Sequence, residues 1–215
     1  MAYATTLFWL GLLSSLGYLF YTTRRTSWQR SAVKTLPLTL FALAAWLADA
    51  PAFLTLALIF SAVGDLALSR KSRAAFLYGL SGFAIAHLMF ILLFLSLGSM
   101  MPWEAFAIAP VPAVILLMAS LSSELWLAPH TGALRWPVRV YVTLITIMGL
   151  AALALPGGYL WVVVGAGLFI ASDMILSVRL FRLSDDDPRA APASWALWIF
   201  YIAGEALITW AIVPF

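Results

Sequence analysis

All twelve Lys and Arg residues of this 215-residue chain lie in or beside every second connection between its apolar segments. Eight such segments follow one another, and the bases fall at the first, third, fifth and seventh connections. Cytoplasmic loops of membrane proteins are enriched in Lys and Arg, so this alternation predicts eight helices that cross a membrane in turn. The bases are Arg24, Arg25, Arg30 and Lys34, then Arg70, Lys71 and Arg73, then Arg135 and Arg139, then Arg179, Arg182 and Arg189.

The composition supports the same class. Hydrophobic residues make up 64% of the chain and charged residues 10%, which is more apolar surface than a soluble domain of this size can bury. We therefore predict an all-α polytopic membrane protein with eight transmembrane helices, folded as a single transmembrane domain over residues 1–215. The basic connections place it in the cytoplasmic (inner) membrane, with both termini non-cytoplasmic. The predicted spans are residues 4–21, 34–49, 51–69, 76–97, 105–122, 137–155, 158–178 and 194–213.

Several classes of site are disfavoured by the residues present. The bases form no continuous face, so nucleic-acid binding is not expected. The chain has no Cys and therefore no disulfide, thiol nucleophile or thiolate metal site. One buried His among acids is a poor zinc set, so no metal or other cofactor is predicted. A hard divalent ion on Asp65, Asp173 and Glu205 stays an alternative, and the oligomeric state stays open.

Two predicted spans end in the same short pattern, a small residue followed by Asp, two residues and Leu-Ser. One copy contains Asp65 in the third span, and the other contains Asp173 in the seventh. The span after each copy has an aromatic residue one turn before an ionisable group. Helices offset by four run in the same direction, so these matches predict a parallel four-plus-four repeat with halves 1–100 and 101–215.

Four ionisable groups lie well inside predicted spans, namely Asp65, His87, Asp173 and Glu205. A charge at the centre of a bilayer costs about 2.5–3.5 kcal/mol on insertion scales, so such groups face the bundle interior or a water-filled cavity. We predict a polar cavity open toward the cytoplasmic side, with the aspartates at its mouth and the other two groups at its floor. One protonated and one ionised carboxyl group in such a cavity would supply a proton donor and a base for hydrolysis.

Five short motifs follow one another along the chain. They are Gly64-Asp65-x-x-Leu68, Phe76-x-x-Gly79-x-x-Gly82-Phe83-x-x-x-His87, the run from Tyr141 to Met148, Ser172-Asp173-x-x-Leu176, and Tyr201-x-x-x-Glu205-x-Leu207-Ile208. In this order and spacing the chain resembles the YhhN-like lysoplasmalogenase family, from Lys34 to Ile208. The resemblance implies an eight-helix membrane enzyme that hydrolyses the vinyl ether bond of lysoplasmalogens to a fatty aldehyde and a glycerophospho-base.

The resemblance also implies roles for single residues. Asp65 and Asp173 match the two aspartates regarded as catalytic in the family, and we expect one to act as acid and the other as base. Glutamine is common in the family where Glu205 stands, so this chain departs from the pattern there. Vinyl ether hydrolysis starts with protonation of the β-carbon and passes through an oxocarbenium ion. Glycosidases use two carboxyl groups to form and stabilise a similar ion.

Six further side chains complete the predicted substrate site. Two bases at inner helix ends are expected to hold the substrate phosphate, and the others line the cavity. The six are Lys34, His87, Arg139, Tyr141, Tyr201 and Glu205. The expected partners are a lysophospholipid substrate and membrane lipids. Three alternatives stay open: a small-molecule or proton-coupled transporter, a non-catalytic lipid-binding membrane protein, and aspartates that only form structural ion pairs.

Overall fold

A computed structural model describes all 215 residues and contains eight long α-helices and no β-strand. The predicted all-α class is therefore confirmed. A short helical turn, Ala105–Ile108, precedes the fifth long helix. The long helices are α1 (Ala2–Leu19), α2 (Trp28–Leu47), α3 (Ala52–Leu68), α4 (Arg73–Ser96), α5 (Pro110–Trp126), α6 (Arg135–Leu153), α7 (Leu160–Phe181) and α8 (Ala190–Ile212).

Six of the eight helices are long and apolar enough to cross a membrane, namely α1, α4, α5, α6, α7 and α8. The chain is a membrane protein. Helix α3 is also apolar but has only 17 residues, and α2 carries Arg30 and Lys34 in its first two turns. Eight crossings and the orientation of the termini stay predictions.

Serine caps explain why two helices begin earlier than their hydropathy predicts. The side chain of Ser27 accepts a hydrogen bond from the backbone N–H of Arg30, and that of Ser72 accepts one from Ala75. Such caps satisfy backbone donors that the first helical turn leaves free. The predicted start of the fifth span at residue 105 is wrong, because the chain bends at Ala109 and α5 begins with Pro110.

Helices α3 and α4 pack closely along their length, as do α7 and α8, and α2 packs against both α1 and α3. Helices α2 and α3, joined by a short connection, pack as an antiparallel pair. Helix α5 lies at the periphery against α6, and α6 packs against α4. The inward faces of α3, α4, α7 and α8 meet at the centre. The four-plus-four repeat stays a prediction.

The α7–α8 crossing depends on a pair of glycines. A Cβ at Gly204 would lie 2.7 Å from the carbonyl oxygen of Gly165 and 2.9 Å from the backbone nitrogen of Phe169. Both neighbours are backbone atoms, so the helices themselves would have to separate. Small residues allow this close approach in membrane bundles.

We expect Gly204→Ala to lower the free energy of unfolding by about 1–3 kcal/mol, the usual effect of overpacking. Gly167→Ala is the matched control, because a Cβ there meets nothing within 4 Å and alanine favours the helix by about 1 kcal/mol. Thermal unfolding of both variants in detergent measures the difference. Equal stability of the two would contradict the proposed role of this crossing.

Candidate active site

The four ionisable groups predicted to face inward are all buried inside the bundle. Asp65 lies on α3 and Asp173 on α7, with exposed fractions of 1% and 5%. His87 on α4 and Glu205 on α8 have no exposed surface. Neither aspartate points toward lipid. Two acids can act on one substrate in the interior only if both face inward, and these two do.

Asp65 accepts two bonds from different helices. The Lys34 Nζ atom of α2 lies 2.8 Å from Asp65 Oδ1. The Tyr201 hydroxyl of α8 donates to Asp65 Oδ2 at 2.9 Å. An ammonium group and a phenol O–H that donate to both carboxylate oxygens stabilise the ionised form of Asp65.

Asp173 faces His87 in a different arrangement. His87 Nδ1 lies 2.7 Å from the backbone carbonyl oxygen of Phe83. A carbonyl oxygen only accepts, so we assign the proton to Nδ1. His87 Nε2 then lies 3.2 Å from Asp173 Oδ2, although off the line of a good hydrogen bond. Two unprotonated atoms would repel at this distance, so we place one proton on the His87–Asp173 pair.

Tyr141 of α6 completes this group. Its ring meets the His87 imidazole edge-on with centroids 5.3 Å apart. Its hydroxyl lies near Asp173 and is buried without a hydrogen-bond partner. On the other side of the imidazole, the Phe169 ring is centred 4.7 Å away. The Tyr141 hydroxyl is therefore free to bond a polar atom that enters beside Asp173.

Glu205 lies one turn beyond Tyr201 on α8. The Ser61 hydroxyl of α3 donates to Glu205 Oε1 at 2.7 Å, whereas Oε2 is buried without a partner. Glu205 is close enough to both Asp65 and Asp173 to interact with them electrostatically. Burial among other acids disfavours a charge here, so the arrangement suits a protonated side chain that acts as a hydrogen-bonding strut.

Three aromatic rings connect the two aspartate groups. Phe169 is centred 5.5 Å from Tyr201, which bonds Asp65, and also contacts His87, which faces Asp173. Phe83 is centred 5.8 Å from Tyr201 and 6.4 Å from Phe169. The contacts of Phe83 are edge-to-face, and those of Phe169 with Tyr201 and His87 are tilted. Such arrangements are typical of packed aromatic clusters, and here the rings connect the two aspartate groups within one interior.

Arg139 lies apart from these groups. Its Nε and Nη2 atoms donate to the two carboxylate oxygens of Glu124 at 2.8 and 2.5 Å. Its guanidinium also lies over the Trp136 ring. Lys34, the other predicted phosphate ligand, is occupied by Asp65. The structure therefore gives both predicted phosphate ligands protein partners.

Two cavities border the site. The first lies between α3, α4, α6 and α7 and is almost wholly apolar, with Phe83 and Tyr141 in its wall. The second lies between α5, α6 and α7 and is lined by Asp173 with Ser120, Ser123 and Thr146. Ser177 borders both cavities.

Some contributors could not be found from the sequence. The Phe83 carbonyl, which fixes the His87 ring, is a backbone atom without a side-chain signal. Ser120 and Ser123 carry no sequence signal for a site, and it is the cavity between α5, α6 and α7 that brings them near Asp173. No group of three or more His, Asp and Glu side chains is arranged to hold a metal ion.

The YhhN family model matches residues 29–212. The chain belongs to the YhhN family. The match covers all of the groups described above and includes every long helix from α2 to α8, with the first residue of α2 just outside it. No solved structure matches this YhhN chain.

Several named proteins are similar to this YhhN family member. A protein named lysoplasmalogenase from Mycobacterium tuberculosis is 36% identical over 161 residues, which span 71% of this chain and 57% of the relative. Lysoplasmalogenase TMEM86A from Homo sapiens is 32% identical over 175 residues, 72% of this chain and 68% of the relative. An uncharacterized membrane protein YhhN of Escherichia coli O157:H7 is 33% identical over 130 residues, 58% of this chain and 59% of the relative.

Proposed function

We propose that the chain is an integral membrane hydrolase that cleaves the vinyl ether bond of a lysoplasmalogen, giving a fatty aldehyde and a glycerophospho-base. The observation that supports this most is the unlike surroundings of two buried aspartates. Asp65 accepts bonds from the Lys34 ammonium and the Tyr201 hydroxyl, whereas Asp173 faces the His87 imidazole at 3.2 Å. The names of relatives that share this family support the substrate class.

In the proposed first step, the His87–Asp173 pair gives its shared proton to the β-carbon of the vinyl ether. The carbon–carbon π electrons form the new C–H bond, and the positive charge is spread over the α-carbon and the ether oxygen. The ionised carboxylate of Asp65 then stabilises this oxocarbenium ion, as a carboxylate does in glycosidases. The low dielectric of the interior strengthens that attraction.

In the proposed second step, a water molecule adds to the α-carbon and gives up a proton to a carboxylate. The product is a hemiacetal. The hemiacetal hydroxyl loses its proton while the glycerol oxygen gains one. The bond between the α-carbon and the glycerol oxygen then breaks, which releases the aldehyde. The water supplies the proton that restores the His87–Asp173 pair, so one water is consumed for each ether cleaved.

The cavities suggest where the substrate lies. Asp173 lines the second cavity, and the free Tyr141 hydroxyl is positioned to bond the ether or hemiacetal oxygen beside it. In this proposal the alkenyl chain lies along the apolar residues that line the two cavities. In the full proposal, eight helices cross the cytoplasmic membrane, the basic helix ends face the cytoplasm, and the substrate enters from that side.

A pair of lipids that differ in one double bond tests this function. Purified protein in detergent should release aldehyde from a 1-alkenyl lysophospholipid and leave the 1-alkyl analogue intact. The saturated ether lacks the β-carbon π bond that accepts the proton. Mass spectrometry of the lipid and a coupled assay for aldehyde would measure the two rates.

Hydrolysis of both ethers would contradict the proposed protonation step. Absence of turnover together with lipid or solute flux in liposomes would favour a transporter instead. Parallel repeats and buried ionisable groups also occur in carriers, so the flux measurement belongs in the same experiment.

A further inference from the structure

Arg70 lies just after α3. The edge of its guanidinium formed by Nε and Nη2 is buried without a hydrogen-bond acceptor, which is true of no other arginine in the protein. Its Nε and Nη2 atoms are shielded from solvent and make no hydrogen bond. The guanidinium carbon lies 3.4 Å from the centre of the Trp28 ring at the start of α2. The indole covers a face of the guanidinium through a cation–π contact and leaves the in-plane donors for another group.

The same edge binds a carboxylate at two other arginines of this chain. Arg139 donates through Nε and Nη2 to Glu124, and Arg189 does so to Asp187. A guanidinium keeps its charge at any physiological pH, so its buried donors require acceptors. The Arg70 edge therefore has the geometry of a bidentate anion site whose acceptor does not come from the protein.

The distribution of acids explains why Arg70 lacks one. Arg139, Arg179 and Arg189 each pair with Glu or Asp, and the hydrogen bonds from Arg189 lower the pKa of its partner to about 2. The α1–α2 connection, residues 20–27, and the α3–α4 connection, residues 69–72, contain bases but no Asp or Glu. Neither of these two connections supplies Arg70 with an acid.

A line of polar contacts between α2 and α3 leads from Arg70 to Asp65. On α2 each contact lies about one helical turn from the next. The five residues from Asp65 to Arg70 correspond to a rise of about 7 Å in a helix. The contacts are Trp28 with Arg70 at 3.4 Å, Ser31 with Ser69 at 2.6 Å, and Lys34 with Asp65 at 2.8 Å.

We propose that Arg70, backed by Trp28, binds the phosphate group of the lysophospholipid substrate. This inference rests on the proposed function. In a 1-alkenyl lysophospholipid roughly five bonds, or about 6 Å, separate the ether oxygen from phosphorus. That length matches the rise between Asp65 and Arg70, so a phosphate at Arg70 leaves the ether at the level of the acids. Phosphate oxygens accept the two parallel N–H bonds that this edge offers.

Binding of lipids that cannot be hydrolysed tests the site. The full-length protein in detergent is titrated with a 1-alkyl lysophosphocholine and with the matching 1-alkylglycerol, which lacks phosphate. Arg70→Gln should weaken binding of the phospholipid about tenfold or more, because charge-assisted hydrogen bonds are lost, and leave the alkylglycerol unchanged. Arg73→Gln is the matched control. It removes an exposed charge close to the same connection and should change neither affinity.

Arg70→Lys keeps the charge without the bidentate edge, and should also weaken only the phospholipid. It serves as the test if the glutamine variant does not fold. Wild-type affinity in either folded Arg70 variant, or equal weakening of both lipids, would overturn the proposal. If a diacyl phospholipid binds as tightly as the 1-alkyl lysophosphocholine, the site belongs to bilayer lipid and the proposal is wrong. If glycerophosphocholine or inorganic phosphate binds as tightly, the site belongs to a soluble anion and the proposal is also wrong. Neither the 1-alkyl lysophosphocholine nor the 1-alkylglycerol contains a vinyl ether, so the binding result is independent of whether the chain hydrolyses one.

Discussion

Asp173→Asn is expected to slow aldehyde release by about 10²–10⁴-fold, the usual contribution of a general acid, while the protein stays folded. An amide keeps the size of the side chain and its N–H donor satisfies His87 Nε2, but it has no proton to transfer to carbon. The loss should therefore appear in kcat, with little change in the binding of a 1-alkyl lysophospholipid. Initial rates and thermal unfolding in detergent, measured on the same preparation, separate chemistry from folding.

Glu205→Gln is the matched control for this variant. It makes the same acid-to-amide change at another buried carboxyl group, and the amide oxygen still accepts the Ser61 hydroxyl now bonded at 2.7 Å. We expect it to retain most of the turnover. The assignment of Asp173 as proton donor is wrong if its asparagine variant also retains most of the turnover, or if both amide variants lose it equally.

The interior position of the acids followed from the sequence because an unpaired charge in a bilayer is costly. That argument uses only the depth of a residue in its span, and Asp65, Asp173 and Glu205 were all placed correctly by it. The number of long helices followed from the apolar segments and the basic connections between them. Six of the eight are long and apolar enough to cross a membrane, whereas α2 begins with two polar turns and α3 has only 17 residues.

Partners within the site could be predicted far less well. The Lys34–Asp65 pair was one of several alternatives, since a base at an inner helix end also serves as a topology anchor. The His87–Asp173 contact depends on how α4 and α7 are rotated about their axes, which the packing of the intervening rings determines. Arg139 was expected at the phosphate, yet Glu124 across the α5–α6 connection holds it.

Lys34→Met is expected to lower the free energy of unfolding by about 3–5 kcal/mol, the cost of leaving one member of a buried ion pair alone. Asp65 would keep only the Tyr201 hydroxyl as a donor, at a site where its side chain is buried. The variant Asp65→Asn should cost less than Lys34→Met, because an amide needs no counter-ion and still accepts the bond from Tyr201.

The double variant Lys34→Met/Asp65→Asn separates the structural part of this pair from its chemical part. It removes both charges, so its stability should recover most of what Lys34→Met alone loses, and the two changes should be strongly non-additive in a double-mutant cycle. Turnover should not recover with stability, because the Asp65 carboxylate that stabilises the oxocarbenium ion in the proposed mechanism is absent. A stable double variant that still releases aldehyde would show that the Lys34–Asp65 pair only supports the fold, and that the chemistry needs Asp173 alone.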